Sequence, residues 1–353
     1  MKAVIVTVYN SHNSGSFLQA YALQTFLRKN GIDVSFLRRE DMGSHDIKRV
    51  LKNFITLFAN LKFGEAWQTL KIWFIYDKTV NRLLSICDQE STFFKEAEYI
   101  ILGSDTIWNF TSHYFLRNAN TYLGYSFSNK KIISYAASAA NTSIEKFKSV
   151  IDKHGGLSHL SEILVRDSYT KRLVENSTCH KAKIVTDPTL LLDKNDYHPL
   201  VKEIDGKYTP YLFLYYFGNI SIELQKQIIL FAQIKHLKII SMPFKRKWCD
   251  LNLTTSPYDM VSYFYYAKCV ITNTFHGCAL SLLYEKPFAV HDEGKNKVSE
   301  FLNAYGESQR LFTIPNSFPE ALDKVASSCG DGIYNQIRKK SQKSLLAALN
   351  LGK

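Results

Sequence analysis

His276-Gly277 stands between two apolar segments, KCVITN before it and GCALSLLYE after it. An imidazole can move protons near neutral pH. A glycine beside it lets backbone or ligand approach closely. If the first segment is a strand and the second a helix, the histidine lies beyond the carboxyl end of a strand. Open α/β sheets bind ligands there, and the following helix N-terminus favours an anion. A histidine that merely caps or packs the turn is the plainer alternative, and both stay open on this pattern.

Three other stretches have the same strand-to-loop character. In Asn10–Ser16, the residues Asn13, Gly15 and Ser16 could cradle an anion or a sugar, or simply cap a helix. Gly103-Ser104-Asp105 ends an apolar run, with Trp108 three residues on. A carboxylate accepts sugar hydroxyl protons and an indole stacks on a sugar ring; the alternative is a capped turn with a core tryptophan. Arg166-Asp167 follows EILV. Its guanidinium matches phosphate or carboxylate in fork geometry, or else pairs with Asp167 or Asp187. Lys286 is a further cation, or an exposed surface residue.

Such residues need strand–loop–helix units to carry them. Ala3–Val8 reads as a buried strand, and FLQAYALQTFLRKNG as an amphipathic helix. Leu18, Tyr21, Ala22, Thr25 and Phe26 share one face, and Gly31 stops the helix. Asp33–Leu37 is the next strand, which completes a βαβ unit and implies a parallel sheet. EYIIL, KIISYAA, EILV and AKIV continue the series. DKNDYHPLVKEIDGKY reads as a linker, after which PYLFLYYFG, LKIISMP, KCVITN and PFAVH restart it. The expectation is an α/β protein with two Rossmann-like parallel-sheet domains facing a cleft, over residues 1–200 and 208–353. The tail from Lys324 reads as basic helix, and the last helix is a candidate to pack back on the first domain.

Residues 47–85 interrupt this pattern. Lys48, Arg49, Lys52, Lys62, Lys71, Lys78 and Arg82 stand against Glu65 and Asp77, with seven aromatic residues interleaved. A basic, aromatic helical insertion either rests on an anionic membrane surface or packs on its own domain.

The bulk numbers set bounds. The 353 residues exceed one ordinary core and suit two domains. At 46% hydrophobic and 14% aromatic, the chain can bury large cores. The net charge is +12, yet no run of Lys/Arg resembles a nucleic-acid arm, so no nucleic-acid partner is expected. Six cysteines show neither C-x-x-C pairing nor zinc spacing. Cys269 and Cys278 read as small buried hydrophobes, which suits a reducing compartment. The opening MKAVIVTV runs straight into a strand, so no signal peptide is expected. No window approaches the roughly 18 apolar residues of a membrane span. A cytoplasmic protein is expected, with the inner face of the membrane as a candidate location.

Taken together, seven segments resemble the polysaccharide pyruvyl transferase family. They are Asn13-x-Gly15 with Leu18–Leu23, Gly103-Ser104-Asp105-x-Ile107-Trp108-Asn109, Ser134-Tyr135-Ala136-Ala137-Ser138, Arg166-Asp167, Asp187-Pro188-Thr189-Leu190-Leu191, Phe275-His276-Gly277, and Lys286-Pro287-Phe288. They run in family order. The resemblance implies a GT-B-like fold. It implies pyruvate transfer from phosphoenolpyruvate to two hydroxyls of one sugar, closing a cyclic ketal on a bacterial capsule or exopolysaccharide precursor. Phosphoenolpyruvate is then a donor substrate, with no metal and no other cofactor, and the saccharide acceptor is free or lipid-linked.

On this resemblance His276 and Asp105 are the expected catalytic residues. Arg166, Thr274, Gly277 and Lys286 would bind the donor. Asn13, Gly15, Ser104 and Trp108 would bind the acceptor from the first. One departure stands out: some members carry a donor-binding Arg where this chain has Thr274. Either Lys286, Arg246 or Arg310 supplies the charge, or the donor differs. The alternative is a glycosyltransferase or other group transferase on the same fold with a nucleotide-linked donor. A non-enzymatic glycan-binding protein is a further reading.

Overall fold

The structure is a computed structural model, and it describes residues 1–38, 47–127, 129–204, 209–294, 296–323 and 332–351. Two compact units emerge: Met1–Leu192 with Ile337–Lys353, and Asp193–Gln336.

The first unit is wound on a seven-stranded sheet. Its strands are β1 (Lys2–Val6), β2 (Asp33–Leu37), β3 (Ile86–Cys87), β4 (Tyr99–Leu102), β5 (Lys131–Ala137), β6 (Leu160–Val165) and β7 (Lys183–Ile184). They pair in the order β3-β2-β1-β4-β5-β6-β7, each neighbour parallel. Central strands such as β4 are buried along their whole length, because helices cover both faces of a parallel sheet. The winding direction reverses between β1 and β4. A crevice opens at such a reversal, outside the carboxyl ends of the strands.

The second unit repeats the design with six strands. These are β8 (Tyr211–Tyr216), β9 (Lys238–Pro243), β10 (Leu251–Asn252), β11 (Cys269–Thr272), β12 (Phe288–His291) and β13 (Leu311–Phe312). The order is β10-β9-β8-β11-β12-β13, again all parallel, with the reversal between β8 and β11. The Rossmann-like class expected from the alternation of elements is therefore present twice.

Two local expectations change. Helix α1 (Ser14–Lys29) is not amphipathic in the simple sense, since Gln19 and Gln24 are as buried as its leucines. Gln24 is satisfied through both its atoms, and Gln19 through its Nε2, while Gln19 Oε1 has no partner among the described residues. Gln24 donates to Leu83 O and accepts from Ser85 N, while Gln19 donates to Val8 O and Ser16 O. A helix enclosed on all sides can keep polar residues only in this way. The first part of the stretch read as a linker, residues 193–200, is also folded, while residues 205–208 lie outside the described residues. Asp193 and Asp196 form a reciprocal capping box on a 3-10 helix over Lys194–Leu200, and Tyr197 and Leu200 are buried. Its polar composition serves the cap.

The insertion forms two helices, α2 (Ile47–Ala59) and α3 (Phe63–Leu83). Ala66, Tyr76, Thr79 and Val80 bury one side of α3, and the Tyr76 hydroxyl bonds to Ser14 Oγ at 2.6 Å. The final helix, Ile333–Ala348, is tied to the first unit through its later residues. Ser341 Oγ accepts from Thr186 N, and Gln342 donates to Leu191 O.

Two interior features hold the carboxyl edge of the first sheet. One is Trp108, fully buried, with its indole N–H donating to Tyr122 O at 2.9 Å and its ring edge-on to Phe147. The other is an ionic cluster that joins the ends of β4, β6 and β7. Arg166 pairs with Asp187 at 3.1 Å, and Ser104 Oγ donates to the same carboxylate oxygen. The second oxygen of Asp187 accepts from the amide and hydroxyl of Thr189. Burial alone would weaken the Arg166 charge. Asp187, Asp105 and Asp167 more than offset it, so the guanidinium is held above its ordinary pKa.

Both features predict measurable losses. Trp108→Ala should cost about 3–5 kcal/mol in denaturant unfolding; a loss below about 1 kcal/mol would contradict its place in the core. Arg166→Met should cost about 3–5 kcal/mol by leaving Asp187 buried without its counter-charge. Adding Asp187→Leu should restore only part of that loss, because Ser104 and Thr189 then lose their acceptor, and a double variant no better than the single one would count against the pair.

Candidate functional site

The carboxyl edge of the first sheet is made of hydroxyls and carboxylates. Asn13 caps α1, its side-chain oxygen accepting from Gly15 N at 2.9 Å. One turn on, Ser16 Oγ donates to Asp105 Oδ2 at 2.7 Å. This contact crosses the reversal between β1 and β4. Asp105 takes a left-handed backbone, φ +77°, and its other oxygen accepts from Thr106 N. Aspartate adopts that region more readily than most residues, but the conformation is still uncommon and must be held by its surroundings. Ser138 N, which donates to Asp105 O, supplies part of that hold.

Ser138 itself follows a bulge in β5, where the pairing with β6 slips between Ser134 and Ala137. Bulges re-aim the side chains that follow them. Here Ser138 Oγ donates to Asp167 Oδ2 at 2.7 Å, and Asp167 Oδ1 caps the helix Ser168–Ser177. Three carboxylates, Asp105, Asp167 and Asp187, thus share one guanidinium, Arg166. The edge is acidic, and it suits a polyol better than an anion.

The carboxyl edge of the second sheet has the opposite character. Asn273 staples the reversal point: its Oδ1 accepts from Phe217 N at 2.9 Å and its Nδ2 donates to Phe217 O at 2.7 Å. The helix Phe275–Leu283 starts two residues later, so its positive dipole end faces this edge. Half-buried His276 lies in the first turn, edge-on to Phe275 at 5.4 Å.

Arg246, in the loop after β9, reaches the same edge. It is 9% exposed and donates to Tyr216 O and Gly218 O. Its Nε has no acceptor among the described residues, and no carboxylate pairs with it there. Burial pushes the Arg246 pKa down, with only partial relief from Cys249 and Tyr216. A desolvated guanidinium of this kind is ready for an anion.

Beside it, the Tyr216 hydroxyl bridges His291 Nδ1 at 2.5 Å and Glu293 Oε1 at 2.6 Å. Desolvation, and then Glu293, keep the Tyr216 phenol protonated far above its usual range.

Several sequence expectations are corrected by this geometry. Trp108 is fully buried and cannot stack on a sugar. Ser104 is equally buried, with its hydroxyl committed to Asp187. Arg166 is an internal counter-ion rather than an exposed anion clamp. Gly15 is buried, and its amide is used in the α1 cap.

Thr274 is the N-cap of its helix: its Oγ1 accepts from Gly277 N at 2.9 Å and approaches Thr272 Oγ1 at 3.0 Å. Its hydroxyl is therefore taken up by the cap. Gly277 is explained by close packing rather than by ligand approach, since a Cβ there would fall 2.0 Å from Thr272 Oγ1.

Lys286 precedes β12, while His276 follows the parallel neighbour β11, so the two lie at opposite ends of the sheet. Arg310 likewise precedes β13. It is fully buried against Glu307 at 3.0 Å, with its guanidinium over the Phe288 ring. Of the three cations considered as a substitute for the family arginine, Arg246 alone stands at the carboxyl edge.

His276, Asp105 and exposed Asn13 remain at the two carboxyl edges. The Tyr216–His291–Glu293 group was not legible in the sequence. Its one signal was the polar HDEG after a strand. Among the described residues, Cys87, Cys249, Cys269 and Cys278 are buried free thiols; Cys329 lies outside them. Burial pushes Cys269 and Cys249 up to about 12, which suits inert packing. No three His, Cys, Asp or Glu side chains group as metal ligands among the described residues.

Comparison with known proteins adds to this geometry. Solved structures share the fold at low identity. A putative UDP-N-acetylglucosamine 2-epimerase from Listeria monocytogenes is similar at 8% identity and TM-score 0.58, over 99% of this chain and 96% of that one. The UDP-GlcNAc 2-epimerase from Methanocaldococcus jannaschii is similar at 9% identity and TM-score 0.55, over 100% of both chains. That from Neisseria meningitidis, solved with UDP-GlcNAc bound, is similar at 9% identity and TM-score 0.52, over 99% of this chain and 100% of that one. These likenesses establish the two-unit, GT-B-like class of fold. Among curated proteins no match is found. The family model for polysaccharide pyruvyl transferase matches residues 13–292, most of both units. With that span covered, the chain belongs to the polysaccharide pyruvyl transferase family and is a transferase.

Proposed function

We propose that the protein transfers pyruvate from phosphoenolpyruvate to a sugar of a bacterial surface polysaccharide precursor, forming a cyclic ketal. The observation that carries this reading, within the family, is the contrast between the two carboxyl edges. One is acidic and rich in hydroxyls; the other offers a buried, uncompensated guanidinium, a helix N-terminus and a histidine. A donor that carries both phosphate and carboxylate is repelled by the first edge and favoured by the second.

The roles follow from the chemistry. Arg246 and the helix start bind the donor's anionic groups. His276 is assigned the delivery of a proton to carbon 3, which leaves carbon 2 electron-poor. A sugar hydroxyl adds to carbon 2 and gives up its proton to a general base or to solvent. The carbon–oxygen bond to phosphate then breaks, and phosphate departs with the electron pair. The second hydroxyl adds at carbon 2 and loses its proton, which closes the ring. One proton enters at carbon 3 and two leave the hydroxyls; the net proton goes to phosphate or solvent. Asn13 and Asp105 contact the acceptor. The strained backbone of Asp105 supports this role, since such strain clusters at functional sites.

A second reading has an observation in its favour. The neighbour from Neisseria meningitidis is solved with UDP-GlcNAc, and Thr274 replaces a donor-binding arginine of some family members. A nucleotide-linked donor would present a diphosphate to the same Arg246 edge.

Calorimetry with phosphoenolpyruvate and with UDP-GlcNAc, each with and without an acceptor saccharide, separates the two. Phosphoenolpyruvate is expected to bind, and Arg246→Ala should weaken it by about 1.5–3 kcal/mol, the scale of a charged hydrogen bond. Binding of UDP-GlcNAc in place of phosphoenolpyruvate overturns the pyruvyl donor. His276→Ala should lower turnover by at least about 10²-fold while leaving donor affinity within a few fold. Turnover that persists in that variant removes His276 from the proton transfer.

A further inference from the structure

We propose that the α2–α3 hairpin docks the protein on a membrane surface bearing anionic lipid headgroups. The inference does not depend on the transfer reaction. It starts from an uneven distribution of exposed apolar side chains. Among the described residues seventeen large hydrophobics are exposed, and seven of them fall between Leu51 and Phe74. The concentration is sharper for aromatics: Phe58, Phe63, Trp67 and Phe74 lie here, and only Phe244 lies elsewhere. Ile55 and Trp67 are 64% and 62% exposed, which is far from core packing.

The hairpin accounts for part of this surface by itself. Phe54 packs edge-on to Trp67 at 5.6 Å, and Phe58 edge-on to Phe63 at 4.7 Å. Yet Phe58 and Phe63 stay 46% and 44% exposed after that contact. On α2, Leu51, Ile55 and Phe58 recur at four and three residues and so share one face. On α3 the buried side is a different set, Ala66, Tyr76, Thr79 and Val80. Beyond its ring contacts with α2, the outer side of α3 stays exposed in the described chain. Contiguous apolar surface of this kind marks an interaction site.

Charge selects the partner. Lys52, Lys62, Lys71, Lys78 and Arg82 are exposed along the same two helices. Only Glu65 and Asp77 oppose them there, and Glu65 is 3.7 Å from Lys62. Basic residues beside exposed Trp, Phe and Ile are the composition of an interfacial helix, with stems and rings among acyl chains and charges at the headgroups. A second copy of this face would bring like charges together, which disfavours a symmetric dimer through it. No helix among the described residues is long and apolar enough to cross a membrane, so the contact is one of lying on the surface. The buried side of α3 also carries Tyr76, bonded to Ser14 at the start of α1. The docking element is thereby coupled to the loop that holds Asn13.

Flotation of the full chain with vesicles tests the proposal. The protein should float with phosphatidylcholine–phosphatidylglycerol vesicles and at least about tenfold less with phosphatidylcholine alone, and high salt should reduce binding several-fold. Trp67→Ser combined with Phe74→Ser should cut the bound fraction about tenfold while a cooperative thermal unfolding transition is kept, because both side chains are mostly exposed. Lys52→Glu with Lys71→Glu should do the same through charge. Brominated lipid should quench the wild-type tryptophan emission, and Trp67→Phe should remove most of that quenching. The proposal fails if the wild type does not float with phosphatidylglycerol vesicles at low salt, or if the paired serine variant floats as well as the wild type. A concentration-dependent dimer that the serine variant dissolves, in place of lipid binding, would assign the face to a second copy and also overturn it.

Discussion

The carboxyl edge of the first unit is organised around one buried charge. Arg166 stands among Asp187, Asp105 and Asp167, and these carboxylates hold its guanidinium ionised against the cost of burial. Asp187 in turn collects Ser104 from the end of β4 and Thr189 from its own turn. Strand ends that are far apart in sequence are thereby held in one place. Asp105 inherits its position from this arrangement, through Ser16 on one side and Ser138 on the other. A charge that deep is useful only as long as all its partners remain, because a half-satisfied ionic cluster is worse than an apolar one.

The second unit has the same winding with the opposite electrostatics. There the reversal point is held by neutral groups, the Asn273 amide on Phe217 and the Thr274 cap on Gly277. Gly277 lies so close to Thr272 that no larger residue fits without displacing β11. At the same edge no carboxylate pairs with Arg246 among the described residues. A desolvated cation with no carboxylate paired to it is a different instrument from a cation shared by three carboxylates. That difference is the physical basis for giving the two edges different ligands.

Kinship of fold and kinship of chemistry separate clearly here. The epimerases share the two-unit architecture at 8–9% identity. A superfold of this kind hosts many reactions, and the site residues decide among them. Those residues fall within the span that places the chain in the polysaccharide pyruvyl transferase family. The α2–α3 hairpin falls within that span too, but its exposed aromatics belong to no sheet edge and call for a separate explanation.

By itself the sequence determined the architecture. Apolar runs of strand length, alternating with helices, specify parallel sheets, because both faces must be buried and only crossover helices can bury them. The strand-to-helix junctions at Asn13, Asp105 and His276 were legible for the same reason: parallel winding sends every such loop to the carboxyl edge. Tertiary structure alone decided which polar side chains are available. Trp108, Ser104 and Arg166 carry suitable chemistry, but each is spent on a partner distant in sequence, respectively Tyr122, Asp187 and Asp187. Lys286 follows the helix after His276 by only a few residues, yet the chain has by then crossed to the other end of the sheet. Arg246 was one cation among three until the sheet order put it at the carboxyl edge. Spacing in sequence reports which loop a residue is in. Burial, pairing and the end of the sheet depend on contacts between segments, and only the folded chain brings those segments together.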